Sequence, residues 1–243
     1  MENYHEINYE KNMKILSQAI MHCEQELTHE EIIKVLQGED DIEKQLRLIE
    51  LQAVYNQEEA NVLVFNLTQH SGPVRETAAY KISELISKPE FRRFFQTKKI
   101  MDTFVKAITD INPSVSRSAV EIIRFVEDFK YIYQSIIEEL NTTLSQLDIE
   151  VKNRSYVQNK KNFNLYWNLE ALISVSDLVV ADEHLLKILK ITAESNDYTI
   201  REKTAKAAQV FGFEQVLESL KDDTNVYVKK YLNWLCYNFS INW

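Results

Sequence analysis

Four apolar residues, Val74, Ala78, Ile82 and Leu85, stand at the i, i+4, i+8 and i+11 positions that place side chains on one stripe of a helix. Forty-one residues later the same frame returns as Val115, Ala119, Ile123 and Val126, again entered just after a proline, Pro113 where the first copy has Pro73. A third copy follows Asn196-Asp197-Tyr198-Thr199, with Ile200, Thr204, Ala205, Ala208 and Phe211, and a fourth follows Asp222-Asp223-Thr224-Asn225, with Val228, Leu232, Cys236 and Phe239. Each copy is preceded by a shorter apolar helix, expected at Ala60 to Leu67, Ile100 to Ile108, His184 to Thr192 and Phe213 to Leu220. The unit is helix, tight polar turn, helix. One such unit cannot bury its apolar face alone, so copies must stack on their neighbours into a single continuous core.

Two less regular pairs complete the chain. Ile32 to Leu36 and Ile42 to Val54 form one, opened by the capping box Thr28-His29-Glu30-Glu31, in which Glu31 reaches back to the Thr28 amide. Tyr131 to Leu147 and Phe163 to Val175 form the other, joined through the polar stretch Asp148 to Lys161. The sum is an all-α chain of about six antiparallel helix pairs, read as one domain over 1–243 with an acidic N-terminal cap at 1–60 and an irregular repeat at 129–175. Only 3 glycines and 3 prolines occur in 243 residues, too few turn formers for an all-β or Gly-rich α/β fold. Prolines near first-turn positions suit the second helices, because those amides lack an intrahelical acceptor. Small residues at Ala78, Ala119 and Ala205 let neighbouring helices approach.

The pattern of a polar turn, then Val-Arg, then Ala, then an aliphatic residue resembles the second helix of HEAT repeats. It is clearest at Pro73-Val74-Arg75, Pro113-Ser114-Val115 and Thr199-Ile200-Arg201. The resemblance implies an α-solenoid with a right-handed superhelix, its second helices lining a concave surface. It further implies that Arg75, Arg201 and Lys229 bond to polar groups of neighbouring turns as a structural ladder. Ser116 departs from the pattern where a basic residue is expected.

Charge and chemistry narrow the function. Residues 1–60 hold 14 acids and 5 bases, leaving 23 of each for the remainder, so the net charge of -9 belongs to the N-terminal quarter. That end is unsuited to a phosphate backbone. No secretion signal and no apolar run long enough to span a bilayer is evident, so a cytoplasmic protein without membrane contact is expected. Cys23 and Cys236 read as core thiols rather than a disulfide or zinc site. The 5 histidines include no pair at ligand spacing, and His5-Glu6 and His29-Glu30 are too few for the His-Glu dipeptides of the HEAT-repeat iron hydroxylases. Gly38, Gly72 and Gly212 are isolated, no nucleophile elbow occurs, and His22 beside Cys23 points to another helix face. The chain is also neither Ala- nor Gly-rich, unlike the tetrapyrrole-handling HEAT proteins. No catalytic residue, metal or cofactor is expected.

A binding module remains. Two and six residues past each Val position lies the face opposite the core stripe: Glu76 and Tyr80, Arg117 and Glu121, Glu202 and Lys206, Lys230 and Trp234, with Trp167 added if Leu165 takes the Val place. Tyr80, Arg117, Glu121, Trp167, Lys206, Lys230 and Trp234 are therefore the candidate contacts for a protein or peptide partner, with aromatics as anchors. The alternative is nucleic-acid binding through Lys88, Arg92, Arg93, Lys98 and Lys99, interleaved with Phe91, Phe94 and Phe95, and through Lys152, Arg154, Lys160 and Lys161 around Tyr156. HEAT-like alkyl-base DNA glycosylases use such a basic face. Against it, helix ends attract cations, the phenylalanines suit a core, and the chain is acidic overall.

Overall fold

The computed structural model describes residues 25–150 and 156–239 together with Ser17 and Met21, the side chains of 147–150, 156–159 and 233–239 excepted. Thirteen helices and no strand occur among the described residues, and no described helix is long and apolar enough to cross a membrane. The chain divides into two compact units, 1–95 and 96–243.

In the first unit, α1 (His29–Leu36) pairs with α2 (Asp41–Glu50), and α3 (Gln57–Asn66) with α4 (Gly72–Ser87). First helix packs on first helix and second on second, giving two layers. The expected capping box opens α1, with the Glu31 carboxylate accepting from the Thr28 amide (2.8 Å). A short α5 (Pro89–Arg92) and a 3-10 turn (Arg93–Phe95) close the unit, seating Phe95 fully buried against α3, whereas Phe91 and Phe94 are only half-buried. Helix α2 stops at Glu50 rather than at Val54, because Leu51 turns extended; Ala53 and Val54 are buried from the following irregular segment.

The second unit repeats the plan four times. Its first helices are α6 (Lys98–Ala107), α8 (Phe129–Glu150), α10 (Glu183–Ala193) and α12 (Glu214–Leu220); its second helices are α7 (Pro113–Ile122), α9 (Tyr156–Ser174), α11 (Tyr198–Phe211) and α13 (Val226–Phe239). Within each layer every helix packs on the next of that layer, and each pair packs on itself. This is the two-layer stack of an α-solenoid, with six helix pairs among the described residues of the two units. Val74, Val115, Ile200 and Val228 are all fully buried, as are Ala78, Ala119, Ala205 and Ala208, so the repeating stripe is the core. The expected polar connection from Asp148 to Lys161 is shorter than the sequence implied, since α8 runs to Glu150 and α9 already begins at Tyr156.

The turns before the second helices carry a repeated hydrogen-bond cassette. In three of them a side chain five residues before the Val position accepts from the backbone two residues on: Asp110 from Asn112 N, Ser195 from Asp197 N, Asp223 from Asn225 N. The side chains of Asn112, Asp197 and Asn225 then cap the helix by accepting from the amides of Ser114, Thr199 and Tyr227, each at 2.9 Å. The residue after the Val position donates back to a turn carbonyl: Arg75 to Gln69 (2.9 Å), Ser116 to Asp110 (3.0 Å) and Arg201 to Ser195 (2.7 Å). Ser116 therefore fills the place of the missing arginine by reaching the same carbonyl with a shorter arm. Arg75 donates to the Gln69 and His70 carbonyls of its own turn, and Arg201 also reaches the next turn, as expected, where its guanidinium forks onto both Asp223 oxygens. That contact first, and burial against it, sets the Asp223 carboxyl below its ordinary range. Lys229 is exposed and makes no such hydrogen bond among the described residues, though its charge helps lower the Asp223 carboxyl.

Candidate functional site

The four second helices of 96–243 lie side by side with their inward faces on the core, leaving one outward face for solvent or a ligand. Arg117 and Glu121 stand exposed on α7 and Lys230 on α13, while Trp167 on α9 and Glu202 and Lys206 on α11 are half-buried. Trp167 packs edge-on against Tyr166 (5.5 Å between centroids) and Phe163 (6.2 Å), which holds the indole in place without covering it. Trp234 lies on α13, but its side chain is outside the described residues. Tyr80 belongs to the first unit, where it is 68% exposed on α4.

The structure adds groups to this face that a rule of two and six residues past the Val position missed. The Lys203 ammonium bonds to Glu170 and lies over the Tyr166 ring, 4.6 Å from its centroid, joining α11 to α9. Burial is the largest single influence and works against that ammonium, but the Glu170 hydrogen bond and charge together with Tyr166 outweigh it and raise the Lys203 pKa. Lys206 reaches the other Glu170 oxygen at 4.0 Å. The Tyr231 hydroxyl on α13 is raised by burial first and then by the nearby Glu202 charge on α11. Lys203 and Tyr231 both stand three residues past their Val positions, on the flank that meets a neighbouring helix. A wider stripe would have found them; their partners could not be assigned without knowing which helices adjoin.

The basic stretches are placed separately. Lys88 pairs with Glu84 (3.0 Å) and lies 5.9 Å from the Phe91 centroid, and Arg92 donates to the carbonyls of Ile86 and Ser87. Arg93 lies over the Phe94 ring (4.7 Å). Lys98 and Lys99 are exposed in the first turn of α6, the end where the helix dipole disfavours cations, so dipole attraction does not explain them; Lys98 sits over the Tyr131 ring instead (5.0 Å). Lys160 is exposed, whereas Lys161 is buried and donates to the Gln146 carbonyl (3.0 Å). Lys152 and Arg154 lie outside the described residues, as do Cys23, His5, His22 and the side chain of Cys236.

A cleft of about 350 Å³ opens beside the first turns of α8, lined by Lys130, Tyr133, Gln134 and the connection carrying Leu178, Val180 and Asp182. Two of its polar groups are already engaged: the Tyr133 hydroxyl donates to Asp182 (3.0 Å), whose carboxylate also caps α10 through Leu185 N. Burial and then the Asp182 contact push the Tyr133 phenol up, so it stays protonated and pins the connection. Among the described residues no group of three or more His, Cys, Asp or Glu could hold a metal ion.

No family model matches the sequence, and no curated protein matches it. Solved structures similar to it include a designed armadillo repeat protein in complex with the peptide (KR)4, at 16% identity over 86% of this chain and 98% of the other, TM-score 0.49. A second designed armadillo repeat protein aligns at 16% identity over 84% and 96%, TM-score 0.45, and an engineered protein at 18% over 87% and 96%, TM-score 0.42. None of these three reaches a TM-score of 0.5, and the helical repeat rests on the packing described above.

Proposed function

We propose that this chain is a non-enzymatic scaffold of HEAT-like repeats that grips a protein or peptide segment across the outward face of α7, α9, α11 and α13. The observation that supports the reading most is the half-buried Trp167, fixed by Tyr166 and Phe163 and flanked along the same layer by Arg117, Lys206 and Lys230. A rigid aromatic beside charged side chains is the pattern that supplies anchoring and orientation at interfaces. Packing fixes the ring in advance, which reduces the ordering cost of binding.

The test is affinity capture from lysate of the source organism, with and without nuclease, followed by the Arg117→Glu/Lys206→Glu variant. A stoichiometric protein that survives nuclease and loses at least about tenfold in affinity on double charge reversal, about 1.4 kcal/mol, supports the reading. Unchanged affinity with an unchanged helical spectrum moves the partner off this face. Enrichment lost with nuclease transfers the function to the basic stretches.

A further inference from the structure

The outward face of α7, α9, α11 and α13 has its central carboxylate, Glu170, occupied and part of its basic groups idle. Glu170 is held by Lys203 and, at 4.0 Å, by Lys206; Glu121 has a partner of its own; Glu202 lies close enough to the Tyr231 phenol to raise it. Arg117 and Lys230, by contrast, are exposed and make no hydrogen bond or ion pair among the described residues. Lys206 is only loosely engaged, since a 4.0 Å contact is at the outer limit of an ion pair. Glu170 and Glu121 are thus answered from within the fold, and the cations at the two ends of the row are not among the described residues. Residues 96–243 as a whole carry 18 bases and 20 acids, so no strong local excess of negative charge opposes an anionic ligand, unlike 1–95 with 10 bases and 17 acids.

From this asymmetry we infer that the partner segment is an extended acidic peptide carrying one apolar side chain, its carboxylates meeting Arg117, Lys206 and Lys230 and its apolar group seated on Trp167. The inference rests on the scaffold reading above and sharpens it. Neighbouring helices of a layer lie about 10 Å apart, and an extended chain advances about 3.3 Å per residue, so one helix spacing corresponds to about three residues. The row α7, α9, α11, α13 therefore fits acid, two residues, apolar, two residues, acid, two residues, acid. An extended peptide can run in either direction, so the reversed order fits equally. An aromatic-anchored apolar contact supplies affinity, while the arginine and the lysines supply orientation and on-rate.

The probes are fluorescein-labelled peptides of serine and threonine bearing Glu, Leu, Glu and Glu at that spacing, in both orders. Counterparts carry Lys for each Glu or Ser for Leu. Anisotropy titrations against the full chain are run at 50 and 200 mM salt. The expected result is saturable binding of a Glu peptide at least about tenfold tighter than its Lys counterpart, weakened by salt, by the Leu-to-Ser change and by Arg117→Glu/Lys230→Glu. Tighter binding of the Lys peptide, or no saturable binding of either Glu peptide, overturns the inference. To separate that failure from failure of the scaffold reading, a photo-crosslinking benzoylphenylalanine replaces Trp167 and the chain is irradiated in lysate. A cross-linked protein together with silent Glu peptides leaves the face standing and removes the acidic motif; no cross-link and no peptide binding removes both.

Discussion

The second-layer helices of the two units share a scaffold and differ in how they dress it. On 1–95, α2 and α4 leave Ile42 (36%), Ile49 (62%) and Tyr80 (68%) in solvent, while Glu84 is taken by Lys81 (2.7 Å) and Lys88. On 96–243, Tyr166, Trp167 and Tyr231 are half-buried, with Lys203 over the Tyr166 ring and Trp167 packed on Tyr166 and Phe163; Tyr198 (42%) and Tyr227 (58%) are exposed but stack on each other (6.2 Å), and Arg117 and Lys230 are exposed cations. The lesson is that the repeat dictates the inward stripe and leaves the outward face free to vary. A free apolar side chain loses rotamer freedom on binding, whereas a ring already fixed by neighbours does not. The face on 96–243 is thus the better-prepared one, and the face on 1–95 the more loosely organised.

The first way to break this comparison is to test whether the two scaffolds are in fact equivalent. Ile82 and Ile123 occupy the same register and are both fully buried, so Ile82→Ala and Ile123→Ala should each cost about 2–4 kcal/mol in urea unfolding. A small loss at only one of them would show that the repeats are not equally packed.

Next in size comes the turn network. Arg201→Met removes the fork onto the Asp223 side chain, which is 5% exposed, and should cost about 2–3 kcal/mol, whereas Ser116→Ala loses one hydrogen bond and should cost about 1 kcal/mol. Equal losses would mean that the inter-turn contact adds nothing beyond the carbonyl bond.

The same contact gives a pH dependence with a definite sign. Arg201 depresses the Asp223 carboxyl in the folded chain, so its contribution is fully present above the unfolded value of about 3.9 and is lost as pH falls through the lower folded value. Acid titration of stability should therefore show a smaller decline below about pH 4 in Asp223→Asn than in the native chain. Identical acid slopes would place the decline in other carboxylates, such as Glu84, which the Lys81 hydrogen bond lowers in the first unit.

The smallest expected effects fall on the outward faces. Tyr80→Ser should change stability by no more than about 0.5 kcal/mol. Lys203→Met, breaking a partly exposed pair, should cost about 1 kcal/mol or less. Partner affinity should respond to Lys203→Met, through misplacement of Tyr166 and Glu170, and not to Tyr80→Ser; the opposite ranking would exchange the roles of the two faces.

Much of the fold was legible because helix formation and stacking follow from short-range periodicity. The frame from Val74 to Leu85, repeated from Val115, named buried positions correctly, and each expected helix pair has its counterpart. Boundaries were less legible where a helix outlasts its apolar stripe. α8 runs to Glu150 and α9 begins at Tyr156, past the ends expected at Leu147 and Phe163, because these stretches show no clear amphipathic period, and α2 ends early although Leu51, Ala53 and Val54 remain buried. Among site residues, Arg117, Glu121, Trp167, Lys206 and Lys230 could be placed on one face by counting from the Val position.

What the sequence determined by itself was therefore the inward side of this protein: the helices, their pairing and the stripe on which they stack, because these depend on spacing within about a dozen residues. Only the tertiary structure decided the outward chemistry. Glu170 meets Lys203 from 33 residues away, and Arg201 meets Asp223 from 22. Whether a charge is answered or idle depends on the lateral register of helices that no local pattern encodes. Ser116 shows the same from the other side, since a serine does the work of an arginine when the carbonyl it must reach is already close.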